Sequence, residues 1–400
     1  MLMLILLGLI TTAVLISQVV SFRRLYHYVE SELRFAPGNY APKVAVILPC
    51  KGLDQGFREN VQQLLAQDYA AGKPNFEIVF TVACKDDPAY PVLAELAASP
   101  ASVPIKLVVA GTNPNRAQKI NNQLHALKEV SDDVEVLVFV DSDMVARPDF
   151  LKYLVAHLSD PSVGATTGYR FYVPSKGDWP SVVRSIWNRM TAWEMANPKL
   201  AFAWGGAMAV RRDVFEKAAV AESWDRAADD DLSLTTALKA LGLKIRFVPQ
   251  CLVATHGDAS LPEIVEWTNR QLILTKVYYP QLWRKAIVRA TVMAVWLLAM
   301  IAATGAWILT GDRGFALAAL VGLLIIPVEL WFLFRAQTMW KRVLSDCTRE
   351  LHDSFWRFCL AIPLAHLTLP WMTLYSVLTN RIQWRGITYE LRSPTETVIR

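Results

Sequence analysis

No Cys-x-x-Cys pair occurs in this chain, and its five cysteines are scattered. That spacing excludes a zinc-ribbon site and offers no disulfide framework. Cys50, Cys84 and Cys251 fall at the ends of short apolar runs, and reduced thiols in a cytosolic domain are expected. There is no internal repeat and no low-complexity stretch, so neither a solenoid nor a disordered tether is expected. Charge is sparse: 19% of residues are Asp, Glu, Lys or Arg, and 41 basic against 36 acidic side chains leave a net +5. The basic residues stand beside apolar runs rather than in one block. That placement suits an anionic membrane surface and gives no nucleic-acid track.

Apolar residues, by contrast, are abundant, at 53% of the chain with a mean hydropathy of +0.26. The mixture is too apolar for an ordinary soluble protein and too charged for a wholly buried one, so a water-soluble domain joined to membrane spans is expected. Many of the 14 tryptophans lie near the ends of apolar runs, where an indole sits at the headgroup level. Residues 2–20 carry no charge and have about the length, ~20 residues, that spans a bilayer core. A signal peptide would need a basic start and a small-x-small cleavage site. Arg23 and Arg24 follow the run at once, with Arg34 and Lys43 beyond, which reads as an anchor over residues 1–22 emerging into the cytoplasm.

Between residues 40 and 285 the pattern changes. Short β-rich runs at 44–48, 77–82, 105–109, 134–140 and 245–248 alternate with stretches of helical period. This predicts an α/β domain around a mostly parallel sheet, with ligands beyond the carboxyl ends of the strands. After Pro280 the chain returns to the membrane. Residues 287–309, 315–334 and 355–378 are three candidate segments within 286–379, the first two joined by a tight turn at Gly311 to Gly314. The third contains Pro363 and Pro370 and is either kinked or re-entrant. Three full crossings would put the tail, 380–400, outside, yet Arg381, Arg385, Arg392 and Arg400 favour a cytoplasmic or interfacial tail. Either one segment does not cross or the tail breaks the charge tendency.

Within the α/β region, the apolar run Val138-Phe139-Val140 ends in Asp141-Ser142-Asp143. Two carboxylates one residue apart at a strand end can share a hard divalent cation with substrate phosphates. A solvated acidic turn uses the same residues. Asp229-Asp230-Asp231 precedes a helical run, so these carboxylates repel one another and one can be left as a base with a raised pKa. An acidic helix N-cap is the alternative. Cys84-Lys85-Asp86-Asp87-Pro88 follows the second β-run, and Gln118-Lys119-Ile120-Asn121-Asn122 lies upstream of the Asp-x-Asp. In the first, an Asp can accept a base N–H, and in the second Lys119 can meet a phosphate. Trp204-Gly205-Gly206-Ala207-Met208 offers close backbone approach to a ligand. The stretch at 185–202 mixes Ile186, Trp187, Met190 and Trp193 with Arg184, Arg189 and Lys199, and reads either as an interfacial helix at an acceptor entrance or as a core helix with a basic outer face.

In this order the elements resemble the ceramide glucosyltransferases and their bacterial relatives, within the inverting GT-A glycosyltransferase superfamily. The resemblance runs from about residue 44 to residue 283. Its pieces are Pro49-Cys50-Lys51-Gly52, Asp86-Asp87-Pro88-Ala89, Lys119-Ile120-Asn121-Asn122, Asp141-Ser142-Asp143, Gly205-Gly206-Ala207-Met208, Asp230-Asp231 and Arg270-Gln271, with an echo in Trp384-Arg385-Gly386. It implies a GT-A fold, a UDP-sugar donor (UDP-glucose) and a ceramide-like lipid acceptor. It further implies Asp87 near the nucleoside, Asp141 and Asp143 on Mg²⁺ or Mn²⁺, and Asp231 as base with Asp230 beside it. Donor contacts are expected from Pro49, Lys51, Gly52, Asp86, Asp87, Lys119, Asp141, Ser142, Arg270 and Gln271, and acceptor contacts from Trp204, Gly205 and Gly206. The family's closing (Gln/Arg)-x-x-Arg-Trp motif departs here, because Ile273 and Leu274 stand where Arg and Trp are expected. That departure puts ceramide itself in question and argues against a processive polysaccharide synthase. The other competing reading is a catalytically silent membrane protein that binds sugar nucleotides. The expected location is a bacterial inner membrane rather than a eukaryotic organelle, with the site facing the cytoplasm.

Overall fold

The structure is a computed structural model that describes every residue except 71–74, 101, 176 and 385. Arg385, counted above in the tail, therefore lies outside the described residues. A seven-stranded sheet is built from β1 (Val44–Pro49), β2 (Phe76–Val82), β3 (Ile105–Val109), β4 (Val136–Val140), β5 (Val163–Val173), β6 (Ala207–Arg211) and β7 (Lys244–His256), in the order β3-β2-β1-β4-β6-β5-β7. This is the expected α/β architecture. All described pairings are parallel except those of β6, which runs antiparallel to both β4 and β5.

The central strands read as continuous β-branched and apolar runs because helices cover both faces of the sheet. Alternate residues divide between two cores: Ala45, Ile47, Leu137 and Phe139 face one side, Val44, Val46, Val136 and Val138 the other. Phe139 is fully buried against Phe215 and Trp224, with ring centroids 6.0 and 5.3 Å away. Truncating it to Ala would cost about 3–5 kcal/mol. The parallel register of β1, β2 and β4 brings Pro49, Val82 and Val140 to one edge of the sheet. Because β6 is reversed, Val140 pairs with Ala207. The glycine pair that precedes β6 thereby lands beside the Asp-x-Asp that follows β4, and the Asp141 N–H donates to the Gly206 carbonyl at 3.2 Å.

Among the described residues, four helices are long and apolar enough to cross a membrane: Leu2–Leu33, Pro280–Thr310, Arg313–Val343 and Phe355–Leu378. The first is largely exposed over its apolar half, then buries Phe22, Leu25, Val29 and Glu32 where it meets the α/β domain. Glu32 is fastened there by His157 Nε2 at 2.8 Å and by Arg246. Gly311, at φ +69°, ends the second helix in the left-handed conformation that favours glycine. Asp312 then caps the third, accepting the Gly314 N–H at 2.7 Å. The Phe355–Leu378 helix runs on through Pro363 and Pro370.

The tail is folded rather than loose. β8 (Arg381–Trp384), β9 (Ile387–Ser393) and β10 (Glu396–Ile399) form an antiparallel sheet of order β10-β9-β8, turning at Gly386 with φ +80°. Ile382, Tyr389 and Leu391 are buried in the core of the α/β domain.

Candidate active site

A cavity of about 600 Å³ lies beyond the carboxyl edge of the sheet. Strand ends, a helix start and a reversed strand converge on it. Asp141 and Asp143 leave the end of β4, their side chains 28% and 31% exposed. Asp231 begins the helix Asp231–Ala240, with Asp229 and Asp230 just before it. Lys119 stands in the first turn of the helix Gln118–Leu127.

Protein cations hold these carboxylates in place. Lys119 Nζ lies 2.9 Å from Asp141 and 3.0 Å from Asp230, and donates to the Gly205 carbonyl at 3.1 Å. Burial opposes its charge, but Asp141 and Asp230 outweigh that penalty and keep it an ammonium. Arg170, from β5, grips Asp143 with both Nη atoms, at 2.7 and 2.8 Å, while its guanidinium lies 5.2 Å from the Trp204 ring centre. Burial again opposes the charge, and the contact with Asp143 overrides it.

The acidic triplet separates into three environments. Asp230 accepts from Gln123 Nε2 at 2.7 Å as well as facing Lys119. Asp229 is buried and accepts the Leu232 N–H at 2.8 Å, so the helix-cap reading fits this member. Burial and its two neighbours push its carboxyl well above the usual range. Asp231 accepts the Gly205 N–H at 2.6 Å. Burial and the adjacent Asp230 raise its pKa to about 6, against the opposing pull of Lys119. A carboxylate of that basicity inside a cavity can take a proton from a bound hydroxyl near neutral pH.

The glycines allow this crowding. A Cβ on Gly205 would stand 2.8 Å from Lys119 Nζ and 2.9 Å from an Asp230 carboxylate oxygen, and one on Gly206 would run into the Trp204 ring at 2.1 Å.

Nearly all the expected site residues come together. Pro49, Lys51, Lys119, Asp141, Ser142 and Asp143 line the cavity, as do Trp204, Gly205, Gly206, Asp230, Asp231, Arg270 and Gln271. Gly52, Asp86 and Asp87 are not part of that lining. Asp87 is tied to it through the Gly52 N–H, which it accepts at 2.9 Å, while Asp86 is exposed. Ser142 donates its hydroxyl to Asp54 at 2.8 Å.

Sequence reasoning missed Arg170 and Gln123, and touched the tail only through the family echo at Trp384. Arg170 is the lone charge in the strand Val163–Val173, which is the signal that would have marked it. Trp384, Ile387 and Tyr389 of the tail sheet also line the cavity, and Trp384 lies 5.6 Å from the Arg270 guanidinium.

The family model for glycosyl transferase family 21 matches residues 2–397, nearly the whole chain. The chain belongs to glycosyl transferase family 21. It is a glycosyltransferase of GT-A type, and the family match extends the resemblance read from residues 44–283 to residues 2–397. Solved structures similar to this family 21 chain include a mannosyltransferase from Pyrobaculum calidifontis in complex with GDP-Man and Mn²⁺ (16% identity, 94% of this chain and 98% of that one, TM-score 0.48). A mycobacterial protein (15%, 63% and 78%, 0.38) and S. aureus TarS 1-349 in complex with UDP-GlcNAc (13%, 90% and 99%, 0.39) are further ones. At these scores none of them assigns a role to a residue of this chain.

Proposed function

We propose that this glycosyltransferase moves glucose from UDP-glucose to the hydroxyl of a ceramide-like lipid, with inversion at the anomeric carbon. One observation carries the reading. The cavity that holds Asp141, Asp143 and Asp231 is also lined by Leu282, Ala286 and Arg289 of the Pro280–Thr310 helix and by Leu369 of the Phe355–Leu378 helix. Polar groups suited to a nucleotide diphosphate and apolar groups suited to a lipid thus share one cavity.

In this mechanism Asp231 takes the proton of the acceptor hydroxyl as its oxygen attacks the anomeric carbon. The bond from that carbon to the diphosphate oxygen breaks on the opposite side, and UDP leaves with the electron pair. Lys119 and Arg170 lie where negative charge accumulates and stabilise the departing diphosphate. Asp230, tied to Lys119 and Gln123, is a positioning residue. Asp141 and Asp143 offer hard carboxylate oxygens beside these cations, a donor set that suits Mg²⁺ or Mn²⁺. When bound, such a cation would add neutralising charge to the diphosphate.

Arg23, Arg24, Arg284, Lys285, Arg335, Lys341 and Arg342 cluster at the ends of the apolar helices nearest the catalytic domain, which supports a cytoplasmic site. A bacterial inner membrane is the location proposed with it.

The test is a matrix of radiolabelled UDP-sugars against the purified protein in lipid nanodiscs, with ceramide or diacylglycerol and with Mg²⁺, Mn²⁺ or EDTA. A glucosylated ceramide lost with EDTA is the expected result. Label transfer from another sugar or to another lipid replaces the named substrates. Donor hydrolysis without lipid product removes the lipid acceptor.

A further inference from the structure

The Phe355–Leu378 helix passes every test of length and apolarity for a membrane span. We infer that it does not cross: it lies in the plane of the leaflet on the catalytic-domain side, with both ends on that side, and forms one lip of the lipid's way into the cavity. The last clause rests on the acceptor proposed above, and the topology does not.

The partners of its buried stripe carry this, and its mid-helix tie to a spanning helix, His366 Nε2 to Glu329 at 2.8 Å, lies near the domain end of that span, one to two turns before Arg335. Phe358, Ala361, Ala365 and Met372 pack with Val182, Ile186, Trp187 and Ile264. These partners belong to the helices Trp179–Met195 and Leu261–Tyr278, which flank the cavity of the catalytic domain. The cluster deep in the membrane is a different one. Leu7, Met293, Trp296, Ala303, Ala318 and Ile325 come from the other three apolar helices, and the Phe355–Leu378 helix adds no residue to it.

Each end is fastened on the domain side. Near its start, Phe358 stacks over Arg189 at 3.8 Å, and the same guanidinium lies 4.4 Å from Phe171 of β5. At its finish, the Ser376 and Thr379 carbonyls accept from Lys276 Nζ, and Ser376 Oγ accepts from Trp283 Nε1 at 3.0 Å. Lys276 and Trp283 lie where the chain passes from the Leu261–Tyr278 helix into the Pro280–Thr310 helix, the domain end of that span. A cation capping helix-terminal carbonyls is favourable in itself. The tail that follows continues into the core of the α/β domain through Ile382 and Tyr389.

The opposite face is an unbroken apolar stripe. Trp356, Leu360, Leu364, Leu367, Trp371 and Leu378 are 39–77% exposed at helical spacing along the whole length. A stripe of that kind, with a tryptophan near the start and another in the second half, fits the acyl chains and headgroup boundary of one leaflet. This arrangement also removes the topological conflict in the sequence, since the basic tail stays on the domain side with three crossings.

Two readouts on the full-length protein test the inference without any glycosyl transfer, so it fails separately from the acceptor reading. In the first, epitope tags are placed after Arg400, in the Gly311–Arg313 turn and at Glu129 in the catalytic domain, and their protease accessibility is compared in intact and inverted vesicles. The C-terminal tag is expected to follow Glu129 and oppose the turn. In the second, single spin labels at Trp356→Cys, Leu364→Cys and Trp371→Cys, each in a background with Cys84→Ser and Cys359→Ser, report depth in the bilayer. A helix in the plane gives three similar depths, whereas a crossing helix gives a gradient of about 1.5 Å per residue. A tail tag that follows the turn, or a monotonic depth gradient, overturns the inference.

Discussion

Arg170 meets Asp143 as a fork on a fork, its two Nη atoms 2.7 and 2.8 Å from the two carboxylate oxygens. The pair sets the charge of the Asp-x-Asp before any substrate arrives. Removing the guanidinium leaves Asp143 repelling a diphosphate. Arg170→Ala is expected to lower kcat/KM for the proposed nucleotide-sugar donor about 100-fold, which corresponds to ~2.7 kcal/mol of transition-state stabilisation. Arg170→Lys should recover only part of it, because an ammonium cannot bind bidentately. Steady-state kinetics at saturating metal measures both. An Arg170→Ala enzyme within twofold of wild type would assign the residue to folding alone.

Asp231 predicts a pH profile. Its pKa is raised to about 6 by burial and by Asp230, and the carboxylate is the form that accepts a proton. Activity should therefore rise with pH through about 6 and level off above it. Asp230→Asn removes the like charge beside it, so the acidic limb should move to lower pH even as turnover falls through the loosened Lys119. Asp231→Asn should cost at least about 100-fold in turnover at every pH. A profile for Asp230→Asn that keeps its acidic limb in place would detach that limb from Asp231.

Much of this site was legible because the strand ends carry their chemistry locally. Val138-Phe139-Val140 followed by two carboxylates states both a buried strand and its exposed end. The pairing partners were not legible. Nothing in residues 205–211 reveals a strand that runs backwards, and only that reversal brings Gly205 beside Lys119, 86 positions away. β5 was missed because Gly164, Gly168 and two threonines dilute its apolar run. Gly168 is there for backbone proximity: a Cβ would stand 2.2 Å from the Cys251 carbonyl. The tail looked polar because its strands bury one face only, through residues such as Tyr389 and Leu391.

Gly205 gives a prediction about space rather than charge. An added methyl would stand 2.8 Å from Lys119 Nζ and 2.9 Å from Asp230. Gly205→Ala should push Lys119 off Asp141 and loosen its pair with Asp230, lowering kcat at least tenfold while the thermal midpoint falls by only a few degrees, since the sheet is untouched. Thermal unfolding in detergent measured beside turnover separates the two effects. A large drop in midpoint with unchanged specific activity of the folded fraction would point to a purely structural glycine.

Trp384 tests whether the tail belongs to the site. Its ring lies 5.6 Å from the Arg270 guanidinium, and both line the cavity that holds the Asp-x-Asp. A cation–π contact at a partly exposed site contributes about 0.5–1 kcal/mol. Its loss alone should therefore lower kcat/KM by roughly two- to fivefold. Trp384→Phe retains an aromatic face and should lie between Trp384→Ala and wild type. In an Arg270→Ala background the Trp384→Ala change should have little further effect, because the two residues act as one unit. Fully additive losses in that double-mutant cycle would mean that Trp384 contacts the substrate on its own account rather than through Arg270.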